Sequence, residues 1–152
     1  MGFTERVVES CVRDFSKGCS DELKVQDILR CKKVDVSPIE KFLDHKDYSI
    51  KLSAIRIIGE KGDINILKEK AIAEENDLLL VEMLKWLGKR KAEGLEVFTD
   101  LLKGDNNLLR EAAIQMFRDA GKSDLLFPML FDKSDTMVNR TKRYLDEQKE
   151  KN

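Results

Sequence analysis

Apolar residues recur along the chain at a spacing that predicts four similar helices. Those near the helix starts follow one another at intervals of 29, 30 and 29 positions: Ile50, Leu79, Leu109 and Val138. Three positions before each stands a short polar residue that can cap a helix N-terminus: Asp47, Asn76, Asn106 and Asp135. Seven positions after each, two turns on along the same face, stand Ile57, Trp86, Met116 and Leu145. A steady period in this range predicts a repeat architecture.

A shorter helix is predicted before each of these four. In "SPIEKFL", Ser37 is expected to cap, Pro38 suits the first helical position, and Glu40 completes a capping box. The other first helices are "INILKEKAIAE", "AEGLEVFTDLLK" and "SDLLFPMLF", in which Pro128 fits only near the helix start. Each unit is therefore predicted to be a helix, a tight turn and a second helix.

The second helices resemble those of HEAT-like repeats. Their pattern "VREAA...LG..G" is similar to "IKLSAIRIIGEKG" (50–62) and "LREAAIQMFRDAG" (109–121). Over about 36–150 the period resembles that of the short HEAT repeats of phycobilisome-lyase-like proteins. The basic residue of the pattern is matched by Lys51 and Arg110 but not in the second and fourth copies, and its glycine by Gly59 and Gly88 but not by Arg118.

The resemblance implies an all-α, armadillo-like fold, a right-handed α-solenoid of antiparallel helix pairs. It implies about four repeats, at 36–63, 64–91, 92–122 and 123–152, in one structural domain. Residues 1–35 are expected to form a helical pair, a divergent repeat or cap, with Val8, Cys11, Val12, Phe15, Leu23, Ile28 and Leu29 inward. In the fourth copy Lys142 replaces a small apolar residue, and a polar outer face there predicts that the solenoid ends.

Composition fits helices with charged outer faces. Of the 152 residues 41% are hydrophobic and 38% charged, and 28 Lys and Arg nearly balance 29 Asp and Glu. Such a balance argues against a nucleic-acid partner and against a membrane surface. The amino terminus lacks the apolar run of a secretory signal, so a cytoplasmic protein is expected, assumed to be a monomer.

The cysteine and histidine residues do not have the spacing of a catalytic or metal-binding motif. Cys11, Cys19 and Cys31 form no C-x-x-C pair, and the single histidine, His45, is expected in a loop between two helices. HEAT-repeat hydroxylases carry His-Glu pairs, and this chain has none. Trp86 is expected in the core because apolar residues fill its position in the other copies. No catalytic residue, metal or cofactor is therefore predicted.

What remains is a surface for a partner. In HEAT-like arrays the second helices line the concave face, and the resemblance places one set of residues there: Tyr48, Leu52, Arg56, Leu78, Val81, Lys85, Leu108, Glu111, Gln115, Met137, Arg140 and Tyr144. Their mixture of apolar groups and both charges suits a protein or peptide partner. Burial of Leu52 and Val81 between repeats is the alternative. Two further alternatives are an accessory role like that of phycobilin lyases, which act on a partner protein, and nucleic-acid binding in the array.

Overall fold

The computed structural model describes residues 2–151, and within them the chain is helical, without a strand, as predicted for an all-α protein. The seven α-helices are α1 (Phe3–Ser16), α2 (Glu22–Arg30), α3 (Tyr48–Lys61), α4 (Ile64–Ala73), α5 (Asp77–Lys89), α6 (Asn107–Asp119) and α7 (Asp135–Lys151). Three 3-10 helices lie among them: η1 (Ser37–Asp44), η2 (Leu95–Lys103) and η3 (Ser123–Phe131). No helix among the residues described has the length and apolar character needed to span a membrane.

Packing divides the chain into two compact units. The N-terminal unit extends to Lys70 and the C-terminal unit begins at Ala71, so that the boundary falls within α4. The prediction that 1–35 and 36–152 share one structural domain stays a prediction. Each unit has its own buried apolar residues, which are described separately.

In the N-terminal unit, α1 packs against α2 and η1, and α3 packs against the same two elements. Phe15 of α1 meets Phe42 of η1 edge to face, with 5.2 Å between ring centroids. Val8 and Cys11 are buried with Phe15, as the helical spacing predicts. The prediction for Leu23 is wrong, since it is 77% exposed and Val25 is buried instead. First and second helices of neighbouring pairs therefore lie side by side in this unit.

In the C-terminal unit, α6 packs against α5, η2 and η3, while η3 also packs against η2 and α7. The approach of α5 to α6 is closest at Gly88. A Cβ atom there would lie 2.9 Å from the Cα of Met116 and 3.0 Å from its carbonyl oxygen. The absence of a side chain at Gly88 allows the two backbones to come this close.

Three of the four predicted helix caps are confirmed. The Asp47 carboxylate accepts the backbone N–H of Ile50 at 3.1 Å, and the Asn76 side chain accepts that of Leu79 at the same distance. The Asn106 side chain accepts the N–H of Leu109 at 3.3 Å and also that of the preceding residue. Each of these helices therefore begins where the sequence pattern places it.

The fourth cap lies one residue earlier than predicted. The Ser134 hydroxyl accepts the backbone N–H of Met137 at 3.4 Å, and Asp135 is the first residue of α7. One residue turns a helix by about 100°, so the buried face is turned as well. Met137, Thr141 and Tyr144 are buried, whereas Val138 and Leu145 are half-buried and Lys142 is exposed.

Two residues that were predicted to be exposed are therefore buried. Met137 and Tyr144, expected on the exposed face of the second helices, are each only 6% exposed. The Thr141 hydroxyl is satisfied inside the helix, where it donates to the Met137 carbonyl at 2.8 Å. The physical reason for both corrections is that α7 packs with its apolar face turned by one residue from the prediction, and the cap at Ser134 accompanies that rotation.

The first helices are helical as predicted, but three of the four are 3-10 helices. In η1 the Val36 carbonyl accepts the N–H of Ile39 at 2.8 Å, a bond between residues three apart. Ser37 does not cap this helix; its N–H instead donates to the Asp35 carboxylate at 2.9 Å, which lowers the pKa of Asp35. The capping box is absent too, since the Ser37 N–H that Glu40 would accept donates to Asp35, and one Glu40 oxygen is buried without a hydrogen bond.

Candidate functional site

Six of the twelve predicted partner-binding residues are exposed in the structure: Tyr48, Leu78, Lys85, Leu108, Glu111 and Gln115. Leu78 and Leu108 are 58% and 46% exposed, although both are apolar. Four of the set are half-buried: Leu52, Arg56, Val81 and Arg140. Leu52 and Val81 are thus neither fully exposed, as a partner-binding face requires, nor fully buried between repeats. With Met137 and Tyr144 buried, no fully exposed member of the set remains on α7.

The exposed members in the C-terminal unit lie on helices that pair through side chains. We call the exposed side of α5, α6 and α7 the second-helix face; its predicted members are Leu78, Val81, Lys85, Leu108, Glu111, Gln115 and Arg140. At the N-terminal end the Asn106 amide donates to the Asp77 carboxylate at 2.7 Å. Leu78 and Leu108 each lie two residues after their caps, Asn76 and Asn106. An apolar residue is therefore exposed at the start of both helices.

Three side-chain pairs connect α6 and α7. Arg140 lies 3.4 Å from the Glu111 carboxylate, and Arg118 donates to Glu147 at 3.1 Å. The Tyr144 hydroxyl donates to the Gln115 side-chain oxygen at 3.4 Å, so it reaches the face although its ring is buried. Hydrogen bonding to Glu147 raises the pKa of Arg118. These pairs hold the charged groups of the face in defined positions.

A comparable pairing joins α2 and α3 in the N-terminal unit. Arg56 of α3 donates to the Glu22 carboxylate at 3.1 Å, and the Ser20 and Ser53 hydroxyls lie 3.0 Å apart. A hydrogen bond from Gln26 and then the contact with Arg56 lower the pKa of Glu22. Arg56 is thus engaged within the unit rather than held free for a partner.

Trp86 of α5 lies only partly in the core, where the sequence pattern predicts it. Its indole ring is half-buried, and its N–H donates to Glu82 at 3.2 Å. The Lys85 and Lys89 ammonium groups lie 4.9 and 5.0 Å from the ring centroid. In the equivalent position Ile57 and Met116 are fully buried. Trp86 is therefore less buried than its counterparts, and the prediction of a core position holds only in part.

A cavity of about 360 Å³ opens at the C-terminal end of the second-helix face. Lys89 of α5, Arg118 and Asp119 of α6, and Tyr144 and Lys151 of α7 contribute to its lining. None but Tyr144 was among the predicted site residues. Lys89 and Arg118 follow Lys85 and Gln115 by one helical turn, so extending the predicted stripe by one turn would have reached them.

A second groove lies on the other layer of the same unit, between η2 and η3. It measures about 520 Å³, and its lining includes Phe127 and Phe131, which are 58% and 80% exposed. Their ring centroids are 6.2 Å apart in an edge-to-face arrangement. We call it the aromatic groove; none of its lining residues is among the predicted partner-binding residues.

Groups with reactive or metal-binding chemistry are separated in the structure. Cys11 is buried, and burial together with Asp14 raises the pKa of its thiol to about 12, while Cys19 is exposed. His45 follows η1, and its Nδ1 accepts the N–H of Asp47 at 3.0 Å. Among residues 2–151 no group of three or more His, Cys, Asp and Glu side chains is placed to hold a metal ion.

Comparison with known proteins does not assign the chain to a family. No protein-family model matches the chain, and no curated protein sequence matches it significantly.

Proposed function

We propose that the chain is a non-catalytic interaction module, a right-handed solenoid of about four HEAT-like repeats that binds a protein or peptide through its second-helix face. The observation that carries the proposal is a set of side-chain contacts between neighbouring second helices. Four of them join residues 29 positions apart: Asp77–Asn106, Glu111–Arg140, Gln115–Tyr144 and Arg118–Glu147.

A contact separation equal to the sequence period supports stacked repeats. When identical units are stacked side by side, each residue meets its counterpart in the next unit, so contacts recur at the repeat length. Here the period read from the apolar positions is 29 or 30 residues, and the cross-helix pairs have the same offset. The side-chain pairing of α2 with α3 is similar in kind, but Arg56 and Glu22 are 34 residues apart, so the 29-residue offset is confined to the C-terminal helices.

The exposed leucines support a protein partner. Leu78 and Leu108 lie at the starts of α5 and α6 beside charges that are already paired, as Glu111 is with Arg140. Apolar groups surrounded by fixed polar groups are typical of the centre and rim of a protein interface. They offer nothing to a phosphate backbone, whose binding depends on unpaired cations.

The test compares two variants in affinity capture from the source cell. Asp at positions 78 and 108 falls in the first turn of each helix, where a negative charge favours the helix, so Leu78→Asp/Leu108→Asp is expected to fold. The control is Phe131→Asp, which places the same charge in the aromatic groove. We expect one partner to be captured by the wild type and by the control, and lost in the double variant.

Equal capture by the leucine double variant, with its circular dichroism unchanged, would contradict the proposal. The same captured fractions distinguish the alternatives. A nucleic acid in the complex would be released by nuclease treatment, and a bound linear tetrapyrrole would give a visible absorption band. Either result in place of a protein partner would also overturn the proposal.

A further inference from the structure

The cavity at the C-terminal end of the second-helix face has more positive than negative charge available to a ligand. Three cations line it, Lys89, Arg118 and Lys151, with two carboxylates, Asp119 and Glu147. Arg118 lies 3.1 Å from Glu147 and 3.8 Å from Asp119, so it is engaged with both carboxylates. Within the described part of the chain neither Lys89 nor Lys151 forms an ion pair.

Other hydrogen-bond acceptors in the cavity lining are also occupied by groups of the protein itself. Asp119 accepts the Gln115 amide at 2.9 Å. The Gln148 side-chain oxygen accepts the backbone N–H of Ser123 at the wall of the cavity. These bonds fix the polar lining, and the two lysines are left as the charges that a bound anion would meet.

Gly121, in the turn after α6, contributes to the lining of the cavity. Gly121 has a φ of +73°, and a Cβ atom placed on it would meet nothing within 4 Å. Lys122, next in the chain, is exposed. The space beside Gly121 is therefore not filled by other side chains.

An apolar surface adjoins the charged one. The Lys89 ammonium group, which lines the cavity, lies 5.0 Å from the Trp86 ring centroid, so Trp86 and the cavity share a border. The indole N–H is already bound to Glu82, and Lys85 and Lys89 lie against the ring, so apolar contact is confined to the exposed part that they leave uncovered. A ligand that fits both parts carries a carboxylate next to an apolar side chain.

We propose that this cavity binds an acidic segment of the partner protein, with carboxylates against Lys89 and Lys151 and a neighbouring apolar side chain on Trp86. The inference rests on the proposed function and names the chemistry of the partner. A nucleic acid fits less well, because its continuous row of phosphates would meet Glu147 and Asp119 as well as the lysines.

Trp86 makes the site directly measurable, since it is the only tryptophan of the chain. The probe is a short labelled peptide of alternating Glu and Leu, with its Gln and Leu counterpart as the uncharged control. We expect the Glu peptide to bind saturably by fluorescence anisotropy, to shift Trp86 emission and to weaken with added salt. In Lys89→Gln/Lys151→Gln the affinity should fall about ten-fold, as expected for the loss of two exposed charge pairs.

The matched control is Lys103→Gln, which removes an exposed lysine of η2 in the same unit and should leave affinity unchanged. The inference is overturned if the Gln peptide binds equally well, or if the double lysine variant keeps wild-type affinity. It is also overturned if single-stranded oligothymidylate or inorganic phosphate displaces the Glu peptide at lower concentration than the unlabelled peptide does.

Failure of this inference can be told from failure of the proposed function. If the lysine double variant has no effect while Leu78→Asp/Leu108→Asp abolishes capture of the partner, the module stands and the acidic ligand is wrong. If the Glu peptide binds and depends on the lysines while capture does not depend on the leucines, the cavity stands and the proposed face is wrong.

Discussion

Replacement of Gly88 by alanine tests the close approach of α5 and α6. In an isolated helix this change stabilises by about 1 kcal/mol, because alanine is the better helix former. Here the added Cβ would lie 2.9 Å from the Met116 Cα, and backbone atoms cannot turn away as a flexible side chain can. The two helices must separate by a few tenths of an ångström, and such overpacking costs about 1 to 3 kcal/mol.

The two terms together predict a net loss of about 1 to 2 kcal/mol for Gly88→Ala, since the clash with backbone lies at the upper end of the overpacking range. For a domain of this length the corresponding fall in Tm is about 3 to 6 °C. Thermal unfolding followed by circular dichroism at the helix band measures it. Urea unfolding gives the free energy and, through an unchanged slope, checks that the folded state keeps its compactness.

Gly104 provides the matched control. It follows η2 with φ −72° and ψ 167°, a conformation open to alanine, and the atom nearest to an added Cβ is the Leu101 carbonyl oxygen at 3.8 Å. Gly104→Ala should therefore be neutral or stabilise by up to about 1 kcal/mol, through the unfolded state. If Gly88→Ala were as stable as Gly104→Ala, the close contact between α5 and α6 would be refuted.

Two further substitutions test the C-terminal unit. Ser134→Ala should cost about 0.5 to 2 kcal/mol, because it removes the cap of α7, whereas Asp135→Ala should cost less; the reverse order in urea unfolding would restore the cap predicted from sequence. Asp132 has a pKa below its ordinary value of 3.8, because the Ser134 backbone N–H and then Arg110 bind its charged form. The contribution of Asp132 to the free energy of unfolding is fully present above pH 3.8, and it is lost as the pH falls through the lowered pKa. Asp132→Asn should therefore lose about 1 to 3 kcal/mol at pH 7 and show a smaller further loss at acid pH than the wild type; parallel pH profiles would contradict this.

The helix caps show where local sequence suffices and where it fails. Asp47, Asn76 and Asn106 each cap the predicted helix, because the apolar stripe that follows selects them even where, as at Asn76, another short polar residue is adjacent. Before α7, Ser134 and Asp135 are adjacent and either could cap. The choice depends on whether Thr141 and Tyr144 or their neighbours are buried, and burial is a property of the folded unit.

The 3-10 form of the first helices could not be predicted either. Over nine residues, as in η2 and η3, a period of 3.0 and one of 3.6 differ by about half a turn. Apolar residues such as Leu95, Phe98 and Leu102, all buried in η2, satisfy both patterns. In η3 the sequence does carry one signal against an α-helix, because Pro128 lies inside the helix rather than near its start.

The charged cavity depends on distant parts of the chain meeting at one end. Lys89 and Lys151 belong to different second helices, and nothing in their local sequences relates them. They meet only in the folded unit, where the C-terminal parts of α5, α6 and α7 line one cavity. A repeat period predicts which helices are neighbours, but the charges at their ends differ from copy to copy.

The cross-helix pairs and the caps give two separate measures of how α6 and α7 are stacked. From Asn106 to Ser134 the caps are 28 residues apart, yet Gln115–Tyr144 and Arg118–Glu147 keep an offset of 29. The difference is one residue, a rise of about 1.5 Å along the helix, which long side chains can span. Apolar burial is less tolerant, because one residue turns the buried face by about 100°. Apolar and polar patterns can therefore disagree by one residue at α7, and the buried side chains determine the helix rotation.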